Sequence, residues 1–294
     1  DASLINGAQT QGEIRLYFKE LEELEHDIGA DIEVKLEILV NPDEQEVAEI
    51  AIARNTTTPV KKISQAGARK QLEELKQEML NHNSNWVIET SESDRDLANA
   101  NIDTVKLLQI TRLMTPDHII SPNSEISASE ILRPYKSASS CLETFCNWQE
   151  AKDSDPVSKL MYETTLSLAP KAWAEYEYWN SHPKWKGTGI QETYKTSKKR
   201  VCKKDSRGNV ISCSHGLLFP VLSSMKNFAK QDASGDWFID KYERFRPEKL
   251  LKTAVRILHG DFEYDPMIMG RSISSYITLN GYPETLVDVI EGDD

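Results

Sequence analysis

Two short polar loops carry residue types and spacing from which a binding site can be made. Asn6-Gly7-Ala8-Gln9-Thr10 follows the apolar run Leu4-Ile5 and leads into a long amphipathic stretch. Asn-Gly permits a positive φ and a tight turn. Gln9 or Thr10 can then cap the next helix, whose first amides are open to an anion such as a phosphate. The second loop, Ala53-Arg54-Asn55-Thr56-Thr57-Thr58-Pro59-Val60, adds Arg54, whose planar fork suits a phosphate, and Asn55. Asn6, Gln9, Thr10, Arg54 and Asn55 are therefore the candidate ligand-binding set. A capped turn with no ligand, beside an ordinary surface arginine, is the plainer and commoner alternative.

A second set is basic. Lys195, Lys198, Lys199, Arg200, Lys203, Lys204 and Arg207 crowd one short stretch around Ser206-Arg207-Gly208-Asn209. This reads as a β-hairpin over 194–213, with a local positive field and a width that fits a nucleic-acid groove. A solvated, protruding hairpin kept soluble by its lysines is the competing reading. A two-residue turn at Arg207-Gly208 sets Cys202 opposite Cys213, with His215 just beyond. That spacing favours a plain cross-strand contact over a metal or redox pair.

Three further patterns are weaker. Glu33-Val34-Lys35 matches the Glu-x-Lys half of a nuclease centre in which a carboxylate holds Mg²⁺. No suitable Asp precedes it, only Asp27 and Asp31, and any amphipathic strand shows such a pair. Asp261, Glu263 and Asp265 would share a face if extended and could hold a divalent cation; an acidic connecting strand with Phe262 and Tyr264 inward is the preferred reading. Trp173, Tyr176, Trp179 and Trp185 could stack bases, but their helical spacing makes them core first.

The elements that would position these residues follow from periodicity. Residues 1–93 read as strand, helix, strand, helix, helix, strand: a small mixed α/β unit. Its last helix is expected over Ile63–Leu80, and Trp86–Ile88 as a short strand. After a polar link, 94–294 reads as mainly helical, with helices over Ile102–Leu113, Ser127–Glu150 and from Pro156 onward, bent at Pro170. Beyond the hairpin, helices are expected at about 216–230 and 247–258, and a short one at Ser272–Leu279. The fold class is thus α+β, mainly helical, with a projecting basic hairpin.

Bulk properties limit the functions available. At 294 residues, with 39% hydrophobic and 28% charged residues, the chain can build a sizeable core. Its net charge of −12 argues against non-specific coating of nucleic acid, so any such contact must use a local patch. Four cysteines without C-x-x-C spacing read as reduced thiols. No run approaches the roughly 18 apolar residues that span a bilayer, and there is no secretory leader pattern. The expected location is the cytoplasm, with no membrane partner. The first motif is already under way at Leu4, which raises the expectation of further chain upstream.

Taken in order, the Asn6–Thr10 turn, a helix, a strand, a helix, the Ala53–Val60 loop and a helix ending near Trp86-Val87-Ile88-Glu89 resemble the AIPR family. These are abortive infection phage resistance proteins of bacteria and archaea. The family shows an apolar strand, an Asn-Gly-x-Gln-Thr turn and later an Ala-Thr-Asn-x-Gln-x-Pro-Val-like loop. This chain departs from it at Arg54, where Thr is usual, and at Thr57, where Gln is usual. The resemblance is carried mainly by the first 90 residues; it implies phage defence and assigns no catalytic residue. The expected activity is binding or sensing of nucleic acid or a nucleotide, with no cofactor. The alternatives are a nuclease using Mg²⁺, part of whose site lies upstream, and an interaction module that docks a protein partner or a second copy.

Overall fold

The structure, a computed structural model, describes residues 61–91, 94, 100–193 and 199–291. The polar loops expected in the first sixty residues, and the expected strand carrying Glu33 and Lys35, lie outside them. Within the described residues the chain is mainly helical, as the periodicity predicts, and has two small antiparallel sheets.

At the centre is α3 (Thr104–Met114). Asp103 caps it by accepting from the Lys106 amide at 3.0 Å. Leu107, Leu108, Ile110, Leu113 and Met114 are all buried, so apolar residues cover more than one face of this helix. It packs against α6 (Ala138–Ala151) and against α7 (Pro156–Asn180), the longest described helix. Asp155 caps α7 ahead of Pro156 at its first position, where a missing N–H costs nothing. The helix continues through Pro170 to Asn180.

The preceding helix is in two pieces, α1 (Lys62–Ala68) and α2 (Glu73–His82). Ala66 O accepts from the Gln71 amide and Gly67 O from the Lys70 amide, at 3.0 and 2.9 Å, while Lys70 has φ 59°. That is a Schellman closure with lysine where glycine is customary, so no residue type announces the break. Ile88 forms an isolated parallel bridge with Ile102 rather than a strand. Leu72, Leu75 and Met79 bury into the same core as α3, α6 and α7.

The helix expected over Ser127–Glu150 is likewise divided, into α5 (Ala128–Lys136) and α6, following a short α4 (Asp117–Ile120). The carbonyl of Pro134, which a continuous helix would use for residue 138, accepts from the Gln109 side chain instead. A tertiary hydrogen bond therefore ends α5.

The second half begins with the hairpin β1 (Cys202–Lys204) and β2 (Val210–Cys213). Next come α8 (His215–Ser223), a 3₁₀ turn at Ser224–Phe228, and a second hairpin, β3 (Ala229–Gln231) with β4 (Trp237–Ile239). The expected helix to residue 230 therefore stops early. Three helices close the chain: α9 (Pro247–Gly260), α10 (Pro266–Arg271) and α11 (Ile273–Glu291). α11 runs well past the short helix expected there and packs on α8, α9 and the 3₁₀ turn.

Candidate nucleic-acid interface

The hairpin turn is built by one carboxylate. Asp205 Oδ1 accepts from the amides of Arg207 and Asn209 at 2.9 and 2.8 Å, and Oδ2 accepts from Asn209 Nδ2 at 2.9 Å. These bonds hold the Asp205 carboxyl below its usual range, the Asn209 side chain contributing most. Gly208 takes φ 77°, a left-handed value that glycine adopts without strain. Cys202 stands opposite Cys213 as expected, but not through a two-residue turn: the Asp205 amide donates to Asn209 O at 2.9 Å across a three-residue loop. The register then shifts between Lys203 and Lys204, leaving Ile211 without a partner and exposed.

One side of this ribbon belongs to the core. Val201, Cys202, Val210 and Cys213 are buried, and the Cys213 amide donates to Asn180 Oδ1 of α7 at 2.8 Å. The tip projects and the base is anchored. Burial pushes the Cys202 thiol up to about 11 and raises Cys213 well above its ordinary value, so both stay protonated. His215, beyond the strand, stacks on Phe219 with ring centres 4.9 Å apart.

The basic residues divide into two groups. Lys199 pairs with Asp265, which also caps α10 through the Met267 amide at 2.8 Å. Lys204 Nζ donates to Ile190 O at 2.6 Å. These two lysines fasten the hairpin to its surroundings. Arg200, Lys203 and Arg207 are exposed to solvent. Lys195 and Lys198 lie outside the described residues, as do Asn6, Gln9, Thr10, Arg54 and Asn55.

Two weaker readings are replaced. Asp261, Glu263 and Asp265 do not share the face of a strand: Glu263 and Tyr264 take φ 50° and 59°, so the chain turns there. The connecting strand of the preferred reading is thus a turn, although Phe262 and Tyr264 are buried as that reading holds. Among the described residues no group of three His, Cys, Asp or Glu side chains is placed to share a metal ion. Trp173, Trp179 and Trp185 are core residues, with Trp185 Nε1 donating to Trp179 O at 2.8 Å. No base can reach them.

Periodicity gave no notice of Arg112, a charged residue inside the apolar pattern of α3. Its side chain is 14% exposed and pairs with Glu130 at 2.9 Å. The available signal was a cation four residues after buried Leu108, on the same helical face. Glu175 on α7 was missed for the same reason.

Among the described residues no helix is long and apolar enough to cross a membrane. No curated protein and no solved structure matches the chain. The family model described as AIPR protein matches residues 1–214, well beyond the first 90 residues that carry the motifs and through the end of the basic hairpin. Since that match spans most of the 294 residues, the chain belongs to the AIPR family, which suggests a part in abortive-infection phage resistance.

Proposed function

We propose that this protein serves phage defence by binding nucleic acid or a nucleotide through phosphate contacts made by the hairpin. The observation that carries this reading is the exposure of Arg200, Lys203 and Arg207 on a ribbon whose base is held in the core. An anchored base lowers the entropy cost of presenting those cations together, which a loose loop would incur on binding. Lys195 and Lys198 extend the same basic run in sequence. Asn6, Gln9, Thr10, Arg54 and Asn55 are proposed as a second polar contact, suited by type to a phosphate near a helix start.

Fluorescence anisotropy with labelled single- and double-stranded oligonucleotides tests this reading. Saturable binding that weakens steeply with salt, and is lost in the Arg200→Gln/Lys203→Gln/Arg207→Gln variant, is the expected result. No binding at low ionic strength would remove the hairpin from consideration as a phosphate contact.

A further inference from the structure

We propose that the two hairpins dock on one another between copies of this chain, the basic β1–β2 ribbon of one copy against the acidic β3–β4 ribbon of the next. The ribbons match in construction and oppose in charge. Each is closed by a turn that a carboxylate holds, with a left-handed glycine, Gly208 at φ 77° and Gly235 at φ 89°. Over residues 202–213, Lys203, Lys204 and Arg207 outweigh Asp205, a net +2. Over residues 229–240, Asp232, Asp236 and Asp240 outweigh Lys230, a net −2.

The outer faces carry the complementarity. Cys202, Val210 and Cys213 turn one face of the first ribbon into the core, which leaves Lys203 and Ile211 outside. In the second ribbon Trp237 is buried, its amide donating to Ser167 Oγ of α7 at 2.9 Å, and Phe238 is exposed. Asp236 and Asp240 stand two residues to either side of Phe238, the positions that alternation assigns to the same face. Each ribbon thus shows one large apolar side chain among like charges: Ile211, 43% exposed, beside cations, and Phe238, 40% exposed, beside carboxylates. Those carboxylates have only long contacts with side chains of their own chain. Ser167 Oγ is 3.5 Å from Asp236, and Lys230 Nζ is 3.8 Å from Asp240.

Within one chain the ribbons do not cover each other, since both apolar residues are exposed. They attach to α7 at Asn180 and Ser167, about 20 Å apart along its axis and about 140° apart around it. Surfaces that face different ways meet head to tail between copies rather than about a two-fold axis. A second copy is the partner that every molecule supplies, with a ribbon of like build and opposite charge. Two hairpin faces make less than a standard interface, so the association is weak and salt-sensitive.

The test is sedimentation velocity on the nuclease-treated full chain, over a range of concentrations at low and high salt. Failure of the nucleic-acid reading leaves this measurement unaffected, because no nucleic acid is present. The wild-type chain should associate as concentration rises at low salt and dissociate at high salt. Lys203→Glu/Arg207→Glu and Asp236→Lys/Asp240→Lys each give both hairpins one sign, and each variant alone should associate at least tenfold more weakly. Mixed together, the two variants should associate again. Both remain net acidic, from a wild-type charge of −12, so recovery on mixing reports the local hairpins and not overall charge. The proposal is overturned if the wild-type chain stays monomeric at low salt, which leaves the hairpins to other partners. It is equally overturned if either variant associates as the wild type does, or if mixing restores nothing. Should a charge variant not fold, Phe238→Ser decides: it keeps every charge and should weaken association about tenfold, and unchanged affinity overturns the proposal.

Discussion

Glu175 is a buried carboxylate whose every near partner donates to it. Trp179 Nε1 reaches one oxygen at 2.9 Å, and Lys241 Nζ reaches both at 2.7 and 2.8 Å. Lys241 also sits 4.3 Å from the centre of the Tyr178 ring. Removing one member leaves the others without compensation. Glu175→Ala should therefore lower stability by about 3 kcal/mol, measured by urea unfolding. His215 supplies a pH dependence. Burial, then the nearby Lys106 charge, lowers its pKa, so the folded protein resists a proton that the unfolded chain accepts near the ordinary value of about 6.5. The unfolded state then binds more protons, and stability falls as pH drops through that value towards the lowered folded one. His182, lowered by burial and by Lys241, acts in the same direction. Urea midpoints should decline on going from about pH 7.5 to pH 5.5, and less so in His215→Gln.

Between elements, α8 packs closely on α10, and two glycines permit the approach. A Cβ on Gly216 would stand 1.7 Å from the Pro266 carbonyl oxygen, and one on Gly270 would stand 2.5 Å from the Tyr135 ring. Backbone cannot move aside as a flexible side chain can. Gly216→Ala is expected to cost about 3 kcal/mol or more, seen as a lower melting temperature. A conservative swap at an open glycine such as Gly260 should cost far less. The two hairpins also share a turn that the sequence spells out. Asp205-Ser206-Arg207-Gly208-Asn209 and Asp232-Ala233-Ser234-Gly235-Asp236 each place a carboxylate at the first position and a left-handed glycine at the fourth. The first was legible as a turn. The second was passed over: the helix expected to about residue 230 covered the start of β3, because the apolar run of α8 ends without a strong stop signal.

Over the whole molecule, a net charge of −12 repels phosphate on average, so any nucleic-acid contact must be local and strongly salt-dependent. If the hairpin makes it, neutralising Lys203 and Arg207 should reduce the slope of log K against log salt for single strands by about 1.4. An unchanged slope would place the contact elsewhere. Helical periods of Leu, Ile and Val marked where α2, α3, α6, α7 and α9 lie, and Asp155-Pro156 marked where α7 starts. Turn chemistry at Asp205–Asn209 marked the hairpin, while the Cys202–Cys213 pairing needed the bulge at Ile211 as well. These features depend on residues close in sequence, which is why the chain alone determined them. Where α5 ends depended on Gln109 reaching Pro134, and the freedom of the hairpin lysines depended on Asp265 and Ile190. The pairing of Arg112 depended on Glu130, which Arg133 shares. Each of these joins residues at least 14 positions apart except the Glu130–Arg133 step. Only the folded packing brings them within hydrogen-bond range, so only the tertiary structure decided them.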